Sequence, residues 1–322
     1  MLDVLIIGAG PTGINCAIAA SQAHLQYKVI EKGVLANSIF NFPANMTFFS
    51  TSLNLEIGGI PFISHTDKPT RREALEYYRR LMEAYDIDIS FRERVLGATS
   101  TPEGHTVKTD KGEYHCKNIV VATGFYDVPN KMNIPGENLP KVKHYYDEVH
   151  HYIQQDVLVV GAANSACDVA LECWQKGARV TMAVRSPQLY ERVKYWILPN
   201  IQNRIKEGSI KAHFNTTVTE IREQEVVLST PNGPLTIAND YVLAMTGYSP
   251  DYSLLQSLGV AIDDDQYDTP LYNEKTLESK QPGIYLAGVV NGGRKTNRFF
   301  IENTRDHAEV IMRHVERRLS MV

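Results

Sequence analysis

Two six-residue turns rich in glycine and alanine constrain this chain more than any other feature: Gly8-Ala9-Gly10-Pro11-Thr12-Gly13 and Gly161-Ala162-Ala163-Asn164-Ser165-Ala166. Each follows a continuous apolar run, Val4-Leu5-Ile6-Ile7 or Val157-Leu158-Val159-Val160, and each opens a stretch that reads as helix. A run of that kind fits a strand buried on both faces of a parallel sheet. In the first turn, Gly8 allows the tight bend, Gly10 lets the backbone approach a pyrophosphate, and Gly13 lets helix and strand pack closely. The helix amides then face the negative charge. The helix is expected from Pro11 to about His24 and the next strand from Tyr27 to Glu31. Glu31 stands roughly 20 residues past the turn, where an acid binds ribose hydroxyls. Strand, turn, helix and acid together favour a dinucleotide site over an ordinary tight βα turn.

The second turn is a degenerate copy, with Ala163 in the middle position and Ala166 in the last. A methyl at the middle position displaces a pyrophosphate slightly outward. After the helix to about Gln175 and the stop at Gly177, the strand Arg179 to Val184 ends at Arg185 instead of an acid. A guanidinium there favours a 2′-phosphate and hence NADPH over NADH. Arg192 and Lys194 lie close enough in sequence to add charge. The alternative for Arg185 is a solvated strand-end arginine.

The 322-residue chain can hold two domains with separate cores. A net charge of −4 and a pI near 6.2 argue against nucleic acid or an anionic membrane surface as a partner. No apolar run is long enough to span a bilayer, and Met1 leads almost directly into the first strand, so neither an anchor nor a secretion signal is expected. Cytoplasmic residence is the simplest expectation. The fold class expected is α/β, with two Rossmann-like dinucleotide-binding domains of the three-layer type. One is discontinuous, over 1–125 and 248–322, and the other is inserted at 126–247. Ala122-Thr123-Gly124 and Ala244-Met245-Thr246-Gly247 mark the two crossings. Residues 40–62 read as irregular cover over the first site, and Val128 to Pro140 as a surface connection. Arg71 to Tyr85 is expected to be an amphipathic helix with Leu75, Tyr78, Leu81 and Met82 on its apolar side. A last strand, Ile284 to Ala287, stops at Gly288, and a helix is expected from about Glu302 to Arg318.

With these features the chain resembles the flavoproteins that bind two dinucleotides, the thioredoxin reductase-like enzymes and the flavin monooxygenases. More specific stretches are Thr47-Phe48-Phe49-Ser50, Ile57-Gly58, Pro61-Phe62, Leu139-Pro140-Lys141-Val142, His144-Tyr145, Trp196-Ile197-Leu198-Pro199-Asn200, Gly247-Tyr248-Ser249-Pro250-Asp251-Tyr252 and Phe300-Ile301-Glu302-Asn303. On these the chain is similar, over nearly its whole length, to the YpdA group of bacillithiol disulfide reductases. The resemblance implies FAD in the discontinuous domain, held by Gly8, Gly10, Pro11, Thr12, Gly13, Glu31, Lys32, Thr123, Gly124 and Gly288. It implies NADPH in the inserted domain, held by Gly161, Ala163, Asn164, Ser165, Ala166 and Arg185. The implied activity is NADPH-driven reduction of a small-molecule disulfide, or of another small electron acceptor, by a homodimer. Two departures stand out. Val289 follows Gly288 where thioredoxin reductases usually place Asp, and Thr12 stands where members of the YpdA group often carry the proposed redox cysteine. Threonine cannot form a mixed disulfide.

Four cysteines remain as substitutes: Cys16, Cys116, Cys167 and Cys173. Cys16 lies one helical turn beyond Thr12, and a thiol near a helix N-terminus can have a lowered pKa, so it is the weak catalytic candidate against a structural role. Cys167 and Cys173 fall on one helix with about 9 Å of rise between them, too far for a disulfide. Nothing in the cysteine and histidine spacing fits a metal site, including His150-His151. Arg294, Lys295 and Arg298 form either a solvated basic loop or a carboxylate-recognition group. Three readings stay open: a disulfide reductase without a CxxC dithiol; a flavin monooxygenase-like enzyme; and a ferredoxin- or flavodoxin-type NADPH electron-transfer reductase or redox sensor.

Overall fold

The computed structural model describes residues 1–320. The chain divides into two compact units: Met1–Asn41, Asn45–Val128 and the chain from Tyr248 onward form one, and Phe42–Ala44 with Pro129–Gly247 the other.

The first unit opens with β1 (Leu2–Ile7), α1 (Pro11–Gln22) and β2 (Tyr27–Glu31). It continues with α2 (Arg71–Ala84), β3 (Ile89–Phe91), β4 (Val95–Thr101), β5 (Gly104–Thr109) and β6 (Glu113–Val121). The second unit holds β7 (Val142–Lys143), β8 (Asp156–Val160), α3 (Asn164–Gln175), β9 (Arg179–Val184), α4 (Leu198–Lys206) and β10 (Lys211–Phe214). It adds the antiparallel meander β11 (Thr217–Ile221), β12 (Glu225–Thr230) and β13 (Gly233–Ala238), then β14 (Tyr241–Ala244). The chain returns to the first unit for β15 (Ile284–Leu286) and α5 (His307–Leu319).

The first sheet runs β3-β2-β1-β6-β5-β4, with β15 also beside β6. The length of β6 explains this branching. Its N-terminal half pairs antiparallel with β5, and its C-terminal half pairs parallel with β15. The register places Ile7 opposite both Ile30 and Val121, and Val121 opposite Leu286. Gly8, Glu31, Ala122 and Ala287 therefore stand together at the carboxyl edge of one parallel sheet, where open α/β sheets bind ligands. The second sheet runs β10-β9-β8-β14-β7, all parallel, and brings Gly161, Arg185 and Met245 to its own carboxyl edge.

Both sheets are apolar through their centres, as strands covered on two faces must be. Val4, Leu5 and Ile6 in one and Leu158 and Val159 in the other have no exposed surface. α2 begins with a capping box in which Thr70 and Glu73 satisfy each other's backbone amides. Its buried side is Ala74, Tyr77, Tyr78 and Leu81, whereas Leu75 and Met82 are only half-buried. The expected stripe was thus displaced. Tyr77 is drawn inward by its hydroxyl, which accepts from Ile57 N and donates to backbone carbonyls of the segment above it.

Three further expectations are corrected. The segment between 128 and 140 is more than a surface connection: Met132, Ile134 and Leu139 pack on the core formed by Leu158, Val226 and Val242. The buried Glu137 carboxylate ties that segment by accepting from Met132 N and Asn133 N, both at 2.7 Å. The cover segment follows a one-turn helix, Asn37–Phe40, and contains another, Ser52–Leu55. The last helix starts at His307, not near Glu302, because residues 301–306 form turns.

Candidate dinucleotide sites

The first turn is closed by backbone contact. Gly8 takes φ +107°, and its N–H donates to Ile30 O at 2.8 Å. A Cβ on Gly13 would lie 1.8 Å from Gly8 O, and one on Gly8 would lie 2.6 Å from Ala122 O. Only glycine fits either position. Gly10, the N-cap of α1, is extended and carries no side-chain cap, with Pro11 in the first turn of the helix. A Cβ at Gly10 would meet nothing within 4 Å. The N-terminal amides of α1 therefore face open space with no side chain capping them, which is the cradle a pyrophosphate requires.

Glu31 is buried, and its two oxygens accept from Ala9 N at 2.8 Å and Gly33 N at 2.7 Å. Burial raises its pKa, against the pull of those two amides. A carboxylate accepts about four hydrogen bonds, so capacity remains for ribose hydroxyls. Lys32 forms an ion pair with Asp127 at 2.7 Å, so its ammonium holds the chain just after the Ala122-Thr123-Gly124 turn. Thr123 borders Gly8, and Gly124 takes φ +75° next to Val289. On the other side, a Cβ on Gly288 would lie 2.6 Å from Thr12 Oγ1. Gly8, Gly10, Pro11, Thr12, Gly13, Glu31, Lys32, Thr123, Gly124 and Gly288 thus line one sheet edge. The residues fit the adenosine diphosphate part of FAD.

One residue of this cluster was missed in the sequence. His307, the first residue of α5, accepts the Gly288 N–H on Nδ1 at 3.0 Å. Its proton therefore sits on Nε2. Burial pushes the ring down to about 4, so it is neutral at physiological pH. An expected helix beginning at Glu302 hid it by placing it inside a helix instead of at the end that faces Gly288.

The second turn repeats the device with more room. Gly161 takes φ +140° and donates to Ala183 O at 3.1 Å. A Cβ on it would lie 2.6 Å from Met245 O and 3.0 Å from the existing methyl of Ala166. Ala163 is the extended, uncapped N-cap of α3, and both Ala163 and Ser165 are exposed. Asn164 Oδ1 accepts from Lys194 N at 2.8 Å, and Lys194 Nζ pairs with Asp168 at 2.8 Å. The side chains of Asn164 and Lys194 are therefore committed to holding the loop over the turn. Arg185 and Arg192 are exposed, and neither enters an ion pair among the described residues.

The weak catalytic candidate is corrected. Cys16 has no exposed surface and packs in the core side of α1, and burial pushes its thiol up to about 12. It supplies no thiolate at neutral pH. The other three cysteines are equally buried. In the basic loop Arg294, Lys295 and Arg298 are exposed, and Arg294 pairs with Asp268 at 2.7 Å and Arg298 with Glu274 at 3.4 Å, so the solvated-loop reading fits and an open carboxylate receptor does not.

The pattern of pyridine nucleotide-disulphide oxidoreductases matches residues 5–288. Bacilliredoxin reductase Bdr of Bacillus subtilis (strain 168) is 42% identical over 316 residues, covering 98% of this chain and 97% of that protein. The solved structure of bacillithiol disulfide reductase Bdr (YpdA) from Bacillus cereus is 42% identical, with a TM-score of 0.95 over 98% of this chain and 99% of that one. Its counterpart from Staphylococcus aureus is 38% identical, with a TM-score of 0.95 over 99% and 98%. The chain belongs to the pyridine nucleotide-disulphide oxidoreductase family and is an oxidoreductase that works with FAD and NAD(P)H.

Proposed function

We propose that the chain oxidises NADPH and reduces a low-molecular-weight disulfide of the bacillithiol type. The single observation that carries this reading is full-length similarity to two proteins named as bacillithiol disulfide reductases, at 42% and 38% identity. FAD belongs to the unit with the closed first turn and NADPH to the unit with Arg185. FAD, when bound, accepts hydride from the nicotinamide and passes two electrons on. The protein's own residues bind and orient. The α1 amides and Glu31 hold the adenosine end of one cofactor, and the α3 amides hold the pyrophosphate of the other. Arg185, exposed and without an ion-pair partner among the described residues, supplies a fork for a 2′-phosphate, which supports NADPH over NADH. His307 keeps the Gly288 turn in place. Four free cysteines fit a reducing compartment, hence the cytoplasm, and a homodimer completes the reading.

The test is anaerobic NADPH consumption by the purified holoenzyme. Bacillithiol disulfide should drive stoichiometric oxidation, two thiols per NADPH, with cystine and oxidised glutathione slower. Consumption that depends only on oxygen, or only on added ferredoxin, would contradict the reading and favour the monooxygenase-like or electron-transfer alternatives.

A further inference from the structure

We propose that electrons leave this protein with no protein sulfur in the path: the acceptor is reduced at the flavin itself. Four observations converge. The position at the flavin turn that faces Gly288 is Thr12, whose Oγ1 lies 2.6 Å from where a Gly288 Cβ would stand, and a hydroxyl does not exchange with a disulfide. Cys16, one turn further along α1, has no exposed surface. Cys116 pairs in register with Leu2, five residues before Val121 along β6 and about 17 Å from the carboxyl edge. Cys167 and Cys173 lie in the buried face of α3, in the other unit, with Cys167 Sγ directed to Ala162 O at 3.8 Å. These four are all the cysteines the chain has. A thiolate attack needs an accessible, ionised sulfur, and burial pushes all four thiols up to about 12.

The identity of the acceptor rests on the disulfide reading above; the absence of a sulfur relay rests on these residues alone. In full, NADPH, one proton and RSSR give NADP⁺ and two RSH. The S–S bond breaks and two S–H bonds form. The electron pair and one proton's equivalent come from the nicotinamide hydride, and the second proton comes from solvent. No bond to a protein sulfur forms at any stage. Thr12 then fills space against Gly288 where a thiol relay would sit.

The test combines a variant with a measurement on the unaltered chain. The quadruple variant Cys16→Ala, Cys116→Ala, Cys167→Ala, Cys173→Ala should turn over bacillithiol disulfide within about twofold of the parent. A loss beyond about tenfold with flavin retained would overturn the proposal. Should that variant fail to fold, NADPH-reduced parent protein is mixed with the disulfide, acid-quenched during turnover and weighed intact. The expected mass is that of the unmodified chain, and native iodoacetamide should label none of the four cysteines, whereas the denatured chain takes four labels. A mass gain of half the disulfide on any cysteine sinks the inference. If no disulfide reoxidises the flavin, the disulfide reading alone fails, because the labelling still reports whether a thiol is open to attack.

Discussion

The two glycine turns perform one task with different tolerances. In the first, Gly13 sits on Gly8 O so closely that a methyl would overlap it at 1.8 Å. In the second, Ala166 occupies the equivalent place, and its methyl stands 3.0 Å from where a Gly161 Cβ would be. Both helices begin with an extended, uncapped residue, Gly10 or Ala163, so both leave amides for a phosphate. The acid at the strand end also differs. Glu31 reaches back to Ala9 N and locks the first turn from outside, whereas Arg185 is exposed and locks nothing. One site is built closed, as suits a cofactor that stays; the other is more open, as suits one that exchanges at each turnover.

The largest test of this contrast is Gly13→Ala. The added methyl has nowhere to go but into Gly8 O, so the turn must open at a cost of about 3 kcal/mol or more. The protein should purify with its flavin lost or bound on the order of 100-fold more weakly, read by absorbance and by fluorescence titration of the apoprotein. Retention of a full flavin complement would show that the first turn is not the cofactor seat. Next comes Arg185→Ala. Losing a charge-assisted contact should raise KM for NADPH about tenfold and leave KM for NADH unchanged. Equal effects on both would mean that Arg185 only shapes the loop.

A smaller effect concerns His307, which belongs to the first cluster. Its folded pKa lies near 4, below the ordinary 6.5, so the unfolded chain takes up the proton first. The stability it contributes is present above about 6.5 and is lost as pH falls toward 4, on the order of 3 kcal/mol in all. His307→Gln should flatten that part of the profile of Tm against pH. An unchanged acid limb would place the titration elsewhere. The smallest effect is Ala166→Gly, which should change nucleotide affinity by less than about threefold and stability by about 1 kcal/mol, since the turn already has room.

The sheet skeleton was legible because β1 and β8 are continuous apolar runs ending in glycine, a pattern with few other readings. The local geometry of the candidate sites was legible: the tight turns at Gly8, Gly13 and Gly161, and Glu31 and Arg185 at their strand ends, follow from position along the chain. What escaped depends on distant partners. His307 matters because β15 and α5 bring it to Gly288, and its neighbours in sequence carry no sign of that. Glu137, whose buried carboxylate caps two amides, lies in a stretch whose Pro and Asn content reads as exposed. Cys16 and Thr12 are one turn apart, and only the packing of α1 decides that one is sealed in the core while the other meets the site.

The central claim is that electrons pass from NADPH through the flavin to a disulfide, and anaerobic stopped-flow tests it most directly. NADPH should bleach the flavin rapidly, NADH more slowly. Bacillithiol disulfide added next should restore the oxidised spectrum without oxygen and release two thiols per flavin. A bleached flavin that the disulfide leaves untouched, and that recovers only when air or a ferredoxin is admitted, would contradict it.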